Sequence, residues 1–522
     1  MSSPALTDAT FLEALRYHLP VLQVVLPLLA APVCLLIRHT QLVRVFALTS
    51  ALLTFGVSAA IFALVYGGSE IRYALGGWEA PLGIELGIDS LNAPVLALIS
   101  LVATVTLYFG PGGLGAQIKT KREYLLYSAY LLILGGLLGI VITADLFNVF
   151  VFLEISSLAS YVLVGLGRGR RALMAAYSYL VVGTVGGTFV LLGVGLVYQL
   201  TGSLNFAEVA AQLPALLELR TARVALAFFV VGLSIKLAVF PLHQWLPNAY
   251  TYAPPVVSAF MAATSTKVAF YLMVRVIFDL FGADFTFGTL GLDRVLLPLA
   301  VLAMFAGSVA AIYQRDVRRL LAYSSIAQVG YLTLGLSLAS VAGLTGGLVH
   351  LLNHALTKGG LFLAVGCIVQ RLGSSRVEDL AGLGRRMPLM AAAWVVGGLS
   401  LIGVPGTAGF VSKWYRVLAA LERGSWTLVF LIVGSSLLAV IYVWRVVEVA
   451  YFRPAREETL EQPIRRRYRV LPRSMVIATW VLISLTVVFG LWTELTADIA
   501  ATAARDLLGV AAENSADLGG TP

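Results

Sequence analysis

Charge is scarce in this chain. Of its 522 residues only 12% are Asp, Glu, Lys or Arg, while 59% are hydrophobic. Soluble domains carry about 25% charged residues, so an array of water-soluble domains is excluded despite the length. Cysteine is almost absent. Cys34 and Cys367 each sit inside an apolar run and match no CxxC or Cys/His spacing. A disulfide framework, a zinc site and an iron–sulfur cluster are therefore not expected, nor is any other cofactor or metal. The alternating ten-residue segments of a membrane β-barrel are missing. So is any basic stripe interleaved with exposed aromatics, and the net charge of +9 is not read as a nucleic-acid surface. The stretch from Met1 to Pro20 shows neither a basic leader nor a small-residue cleavage site, so the first apolar run is expected to be retained.

What the chain has instead is apolar runs long enough to cross about 30 Å of hydrocarbon. They predict an all-α polytopic membrane protein with about fourteen spans: 19–37, 43–66, 88–109, 124–143, 146–166, 173–200, 222–242, 252–279, 295–313, 320–340, 344–370, 387–421, 426–451 and 474–496. Residues 67–87 read as a small external hairpin. Residues 203–221 read as a short surface helix capped by Ser203 or Asn205, and 453–473 as an Arg-rich cytoplasmic linker. Counting from an outward N-terminus, loops after odd-numbered spans carry 22 basic residues and the opposite loops seven. By the positive-inside rule this predicts both termini on the outer side. The string Gly110-Pro-Gly-Gly-Leu-Gly115 matches GxGxxG but follows no strand, so no nucleotide site is inferred.

Seven basic residues remain inside the spans. Arg275, Arg416 and Arg445 lie toward span ends, where snorkelling is expected. Lys236, Lys267, Lys358 and Lys413 lie in apolar surroundings, each at a cost of about 2.5–3.5 kcal/mol on insertion scales. Glu154 is the one carboxylate expected deep in the membrane, and an ion pair with Lys236 would keep both groups charged. A static pair that merely locks helices is the alternative. His350, His354 and Lys358 recur every four residues and so share a helix face. Two histidines at that spacing suit a metal, but no third ligand is near in sequence; a proton relay toward Lys358 is preferred. His243 is read as equally structural or functional.

Helix breakers accompany the charges. Pro241 follows Lys236 by five residues, and Pro405 and Gly406 precede Lys413. Such interruptions are tolerated at membrane depth only against protein or water and mark transporters. The two lysines are five spans apart, and a five-span unit must invert in the membrane. Two inverted five-helix repeats follow, 124–279 and 295–451, flanked by an N-terminal segment, residues 1–123, and a C-terminal segment, residues 452–522.

The strings LSIKLAVFPLHQWLPNAY, AYSSIAQVGY, HLLNHALTKGG and GVPGTAGFVSKWY resemble the proton-conducting antiporter-like subunits of complex I, membrane-bound hydrogenases and Mrp antiporters. The likeness covers essentially the whole chain. The HxxxHAxxK run, Gln328 and GGWEAPLGIELGID lean toward the D-type chains of Mrp antiporters; Lys413 suits those and the N-type chains of complex I alike. Gly406 stands where relatives often carry a second proline. The resemblance implies a proton path through Glu154, Lys236, Lys267, His350, His354, Lys358 and Lys413. It also implies companion membrane subunits, a bacterial inner-membrane location, and sodium/proton exchange or a redox-driven pump as the task of the assembly. The chain itself offers no redox ligands.

Overall fold

The computed structural model describes residues 8–66, 68–113, 123–454 and 471–510. The basic cluster Lys119, Lys121 and Arg122, the end of the Gly110–Gly115 string, most of the Arg-rich linker and both chain ends lie outside the described residues. The N-terminal segment holds α1 Asp8–Leu36, α2 Thr40–Val65 and α3 Asn92–Gly113. Next come α4 Glu123–Ile142, α5 Leu146–Gly165, α6 Arg170–Thr201, the short α7 Phe206–Gln212, α8 Arg220–Leu237, α9 Trp245–Tyr252 and α10 Pro255–Val274. Then follow α11 Asp293–Ile312, α12 Val317–Ser337, α13 Val341–Leu372, the one-turn α14 Leu383–Arg386, α15 Pro388–Ile402, α16 Ala408–Glu422 and α17 Trp426–Phe452. The chain closes with α18 Arg473–Leu491 and α19 Glu494–Leu508.

Eleven stretches among the described residues are long and apolar enough to cross a membrane. The other expected spans fail that measure for reasons visible in their residues. Helix α8 carries Arg220, Arg223 and Lys236, α12 is rich in Ser, Thr and Tyr, and the run 387–421 is split into α15 and α16. In each set of five spans the interrupted one is the fourth.

The break in the first set falls earlier than the run 222–242 suggests. Helix α8 ends at Leu237 because Ala238 turns left-handed (φ 63°), and Pro241 lies in the connector to α9. In the second set the break covers 403–407, with Gly403 at φ 86° and Gly406 at φ 83°. Proline is locked near φ −65°, so Gly406 holds a conformation that a proline there would forbid. The last run also ends early, at Leu491. Beyond it α19 buries Thr496, Ala497, Ala500, Ala503 and Ala504, the i, i+3/4, i+7/8 stripe of an amphipathic helix.

Helices α10 and α13 form the centre, buried over 94% and 89% of their membrane-length windows, whereas α17 is buried over 33% and presents Phe430, Leu437 and Trp444 outward. The loops sort into the two groups that the charge count separates. Strands β1 Ile71–Ala74 and β2 Glu85–Ile88 form the expected antiparallel hairpin, and Leu86 bridges Thr143 while Asp145 bridges Asn205. Asn205 caps α7, its side chain accepting from the N–H groups of Ala207 and Glu208. On the opposite face Asp316 bridges Arg376, and Arg44 grips the buried Glu123 at 2.8 and 2.9 Å.

Candidate functional site

Lys236 occupies the last turn of α8, where the final carbonyls lack helical partners. Trp245 Nε1 donates to one of them, Ile235 O, at 2.9 Å. The Lys236 ammonium donates to Ser157 Oγ at 2.8 Å and lies 3.6 Å from Glu154 Oε1. Glu154 and Ser157 are three residues apart on α5, so one helix face offers both groups. Gly187 of α6 lies directly against the Glu154 carboxylate and leaves no room for a Cβ. His243, past the break, stacks on Phe240 at 5.2 Å.

Lys267 and Lys358 sit in the central helices, 1% and 0% exposed. Lys267 donates to Ala262 O and to Thr266 Oγ1, the latter at 3.4 Å. Lys358 donates to Leu321 O at 2.9 Å and to Ser324 Oγ. The His350 and His354 rings stack at 5.3 Å and 10°. His350 Nδ1 pairs with Ser412 Oγ at 2.9 Å; its Nε2, and both ring nitrogens of His354, meet no protein partner.

At the second break the two half-helices meet through Lys413. From α16 its ammonium donates to Leu401 O at 3.1 Å, Ile402 O at 2.7 Å and Ser436 Oγ at 2.8 Å, and it lies 4.8 Å from the Tyr331 ring centre. Arg416 shares the ring at 5.6 Å. It is 0% exposed and donates to Ser412 O at 2.8 Å, so the snorkelling reading fails for it: the Lys413–Arg416 spacing puts both on the inward face. Arg275 reaches carboxylates on the hairpin side. It pairs with Asp89 and with Asp279, the latter at 2.7 Å, and its Nε meets the Tyr271 hydroxyl. Arg445 donates to Ile312 O and Gln314 O at the end of α11.

Glu154 thus pairs with Lys236, and His350 stacks on His354 and pairs with Ser412, the residue before Lys413. The Ser412 carbonyl also takes Arg416, while Lys267 and Lys358 bond to neutral oxygens. Among the described residues no hydrogen bond or ion pair links Lys236 to Lys267. Nor do three His, Cys, Asp or Glu converge there as a metal group would. Missed by sequence were Arg416, Tyr331, Ser157 and the Asp89–Arg275–Asp279 cluster. The three- and four-residue spacings Lys413–Arg416 and Arg275–Asp279 were the available signals.

A membrane bundle with two interrupted helices, each break seating a buried lysine, has the build of a transporter. Residues 143–439 match the family described as NADH:quinone oxidoreductase/Mrp antiporter, TM, and the chain belongs to that family. It is 45% identical to NADH-quinone oxidoreductase subunit N of Desulforudis audaxviator, over 91% of this chain and 96% of the relative. It is 34% identical to putative antiporter subunit mnhD2 of Staphylococcus saprophyticus, over 82% and 85%. A chain in the structure of the Mrp complex from Dietzia sp. superimposes with a TM-score of 0.84 at 28% identity, covering 95% of this chain and 98% of that one.

Proposed function

We propose that this chain is the proton-translocating subunit of a multisubunit sodium (monovalent cation)/proton antiporter, with other membrane subunits as partners. Protons would pass along Glu154, Lys236, Lys267, the His350, His354 and Lys358 face of α13, and Lys413, with residues 124–279 and 295–451 as its two halves. One observation carries this reading. Lys267, Lys358 and Lys413 hold their ammonium groups against neutral carbonyl and hydroxyl oxygens, so a proton can leave without stranding a fixed counter-charge. Two unit charges about 10 Å apart interact by roughly 1.7 kcal/mol at an effective dielectric near 20, more than one pKa unit. Charging one lysine therefore biases the next. Sodium is assigned to a partner chain, because a hard cation favours several oxygen ligands, carboxylates among them, and Glu154 is the one carboxylate in this row.

The face bearing the β-hairpin is read as the outer side of a bacterial inner membrane, on the strength of the 22-to-7 bias in basic residues. The 45% identity to a chain named as a quinone oxidoreductase subunit favours a second reading, in which the same path serves a redox-driven pump. Identifying the subunits that purify with this chain separates the two parents. Proton movement is tested with the native assembly in sealed vesicles. Lys236→Ala and Glu154→Gln should each slow cation-driven or redox-driven proton movement at least tenfold, and wild-type rates in both would reject the reading.

A further inference from the structure

Two cavities lie end to end between Lys236 and the hairpin face. The larger, about 200 Å³, is walled by Glu85, Asp89, Thr143, Arg275 and Asp279 among others. The smaller, about 40 Å³, is walled by Lys236, Ser157, Ser160, Tyr179 and Ser265 among others. They share two wall residues, Ile140 of α4 and Leu272 of α10. Thr143 follows Ile140 by three residues and Arg275 follows Leu272 by three, so the polar wall of the outer cavity begins about one helical turn from the shared pair. Along α10 and its continuation, Ser265, Leu272 and Asp279 are seven residues apart, about 10 Å per step at 1.5 Å per residue. The column is thus about 20 Å long, polar at both ends and apolar at the two shared residues.

The inner cavity suits water. About 10–15 Å³ of such space holds one molecule, and five hydroxyl side chains and the Lys236 ammonium share its walls with six apolar side chains. Ser265 Oγ, on this wall, is buried with no hydrogen-bond partner in the protein, and a buried polar group without a partner is costly unless water reaches it. The outer cavity is open: the side chains of Asp89 and Asp279 are 28% and 29% exposed, with Arg275 between them at 15%. Leu272 itself is 2% exposed.

We propose that this column is an access route by which water and protons reach Lys236 from the hairpin face, gated by Ile140 and Leu272, with Asp89, Arg275 and Asp279 forming its mouth. Its role in transport rests on the proton reading above; its existence as a water path does not. The gate is a dry pair of side chains, so trimming one lets water columns join, and enlarging one keeps them apart. The arrangement also places the first lysine within reach of the hairpin side without passage through the central helices.

The test uses the complete complex in sealed vesicles, with Cys34 and Cys367 changed to Ala and Ser265→Cys added. The small cationic thiol reagent 2-aminoethyl methanethiosulfonate is supplied from the hairpin face alone, and labelling is read by mass spectrometry. Labelling of Ser265→Cys should be at least tenfold faster with Leu272→Ala than with Leu272→Phe. Ser160→Cys, on the opposite wall, paired with Ile140→Ala against Ile140→Phe, should behave alike and serves if a Leu272 variant does not fold. Labelling that ignores the gate residues, or that proceeds only from the other face, overturns the route. Gate-dependent labelling alongside unimpaired transport in Lys236→Ala would keep the route and sink the proton reading. Gate-independent labelling with impaired transport would do the reverse.

Discussion

Lys413 on α16 donates to the carbonyl of Ile402, the last residue of α15, at 2.7 Å. The lysine therefore closes the helix break that a bilayer would otherwise penalise, since a freed carbonyl at membrane depth needs a partner. Lys413→Met removes that donor and leaves Leu401 O, Ile402 O and Ser436 Oγ short of one, at about 1–3 kcal/mol for each buried group stranded. Arginine retains donors yet stays protonated. Lys413→Arg should hold the Tm within a few degrees of wild type while lowering proton movement on the order of 10²-fold, the scale of losing a positioned proton-transfer group. Lys413→Met should lower both. Equal transport in Lys413→Arg and wild type would show that the site is only structural.

Tyr331 lies under two cations at once, with Lys413 at 4.8 Å and Arg416 at 5.6 Å from its ring. Its hydroxyl meets Ile432 O at 3.1 Å and Ser436 Oγ at 3.2 Å. Tyr331→Phe keeps the ring and loses about 1 kcal/mol of hydrogen bonding. Tyr331→Leu should cost about 2 kcal/mol more, because a desolvated cation over an aromatic face is worth about that much. Thermal unfolding of the two purified variants checks the order; a reversed order removes the ring from the argument.

Two glycines should respond differently to the same added methyl. At Gly187 a Cβ meets the carboxylate end of Glu154, which can swing aside. At Gly409 it meets the backbone carbonyl of Ser400 on the facing half-helix, which cannot move without parting α15 from α16. Gly187→Ala should thus retain most of its stability and lose transport through a displaced Glu154–Lys236 pair. Gly409→Ala should lose on the order of 1–3 kcal/mol, as overpacked sites do. Comparing Tm and vesicle transport for both separates ion-pair geometry from packing.

The fold was legible wherever a residue's cost in hydrocarbon is large. Fourteen apolar runs, a hairpin within 67–87, whose strands span 71–88, and the break before Lys413 could be read from composition and breakers alone. Helix α19 could not, because its polar outer face lowers the mean hydropathy of the segment, and only its alanine stripe betrays it. Arg416 was misplaced because distance from a span end was counted along the chain, whereas a three-residue step from Lys413 sets it on the buried face. Asp89 and Arg275 are 186 residues apart; such a pair depends on the meeting of a loop with the end of a distant helix, which no local pattern encodes. Ile140 and Leu272 are ordinary core residues in sequence, and only the cavities on either side set them apart.

Asp145 stands in the turn between α4 and α5, outside the spanning helices, and caps α5 by accepting from the Asn148 N–H at 2.6 Å. Burial raises its carboxyl above the usual carboxylate range, although N–H bonds from Asn148 and Phe147 pull the other way. A raised value means that the folded chain holds this proton more tightly than the unfolded one. Its contribution to stability is then fully present at pH below the unfolded value of about 3.9 and is lost as pH rises through the folded one. Asn caps helices as well as Asp and never ionises. Asp145→Asn should therefore show a higher Tm than wild type at pH 7, with the gap closing as the pH is lowered toward about 4. Asp145→Ala, which lacks the cap, should fall below Asp145→Asn by about 1 kcal/mol at every pH. A gap between Asp and Asn that persists unchanged into acid would mean that the carboxylate is not strained by burial, and the turn would owe its geometry to the bridge with Asn205 rather than to the cap.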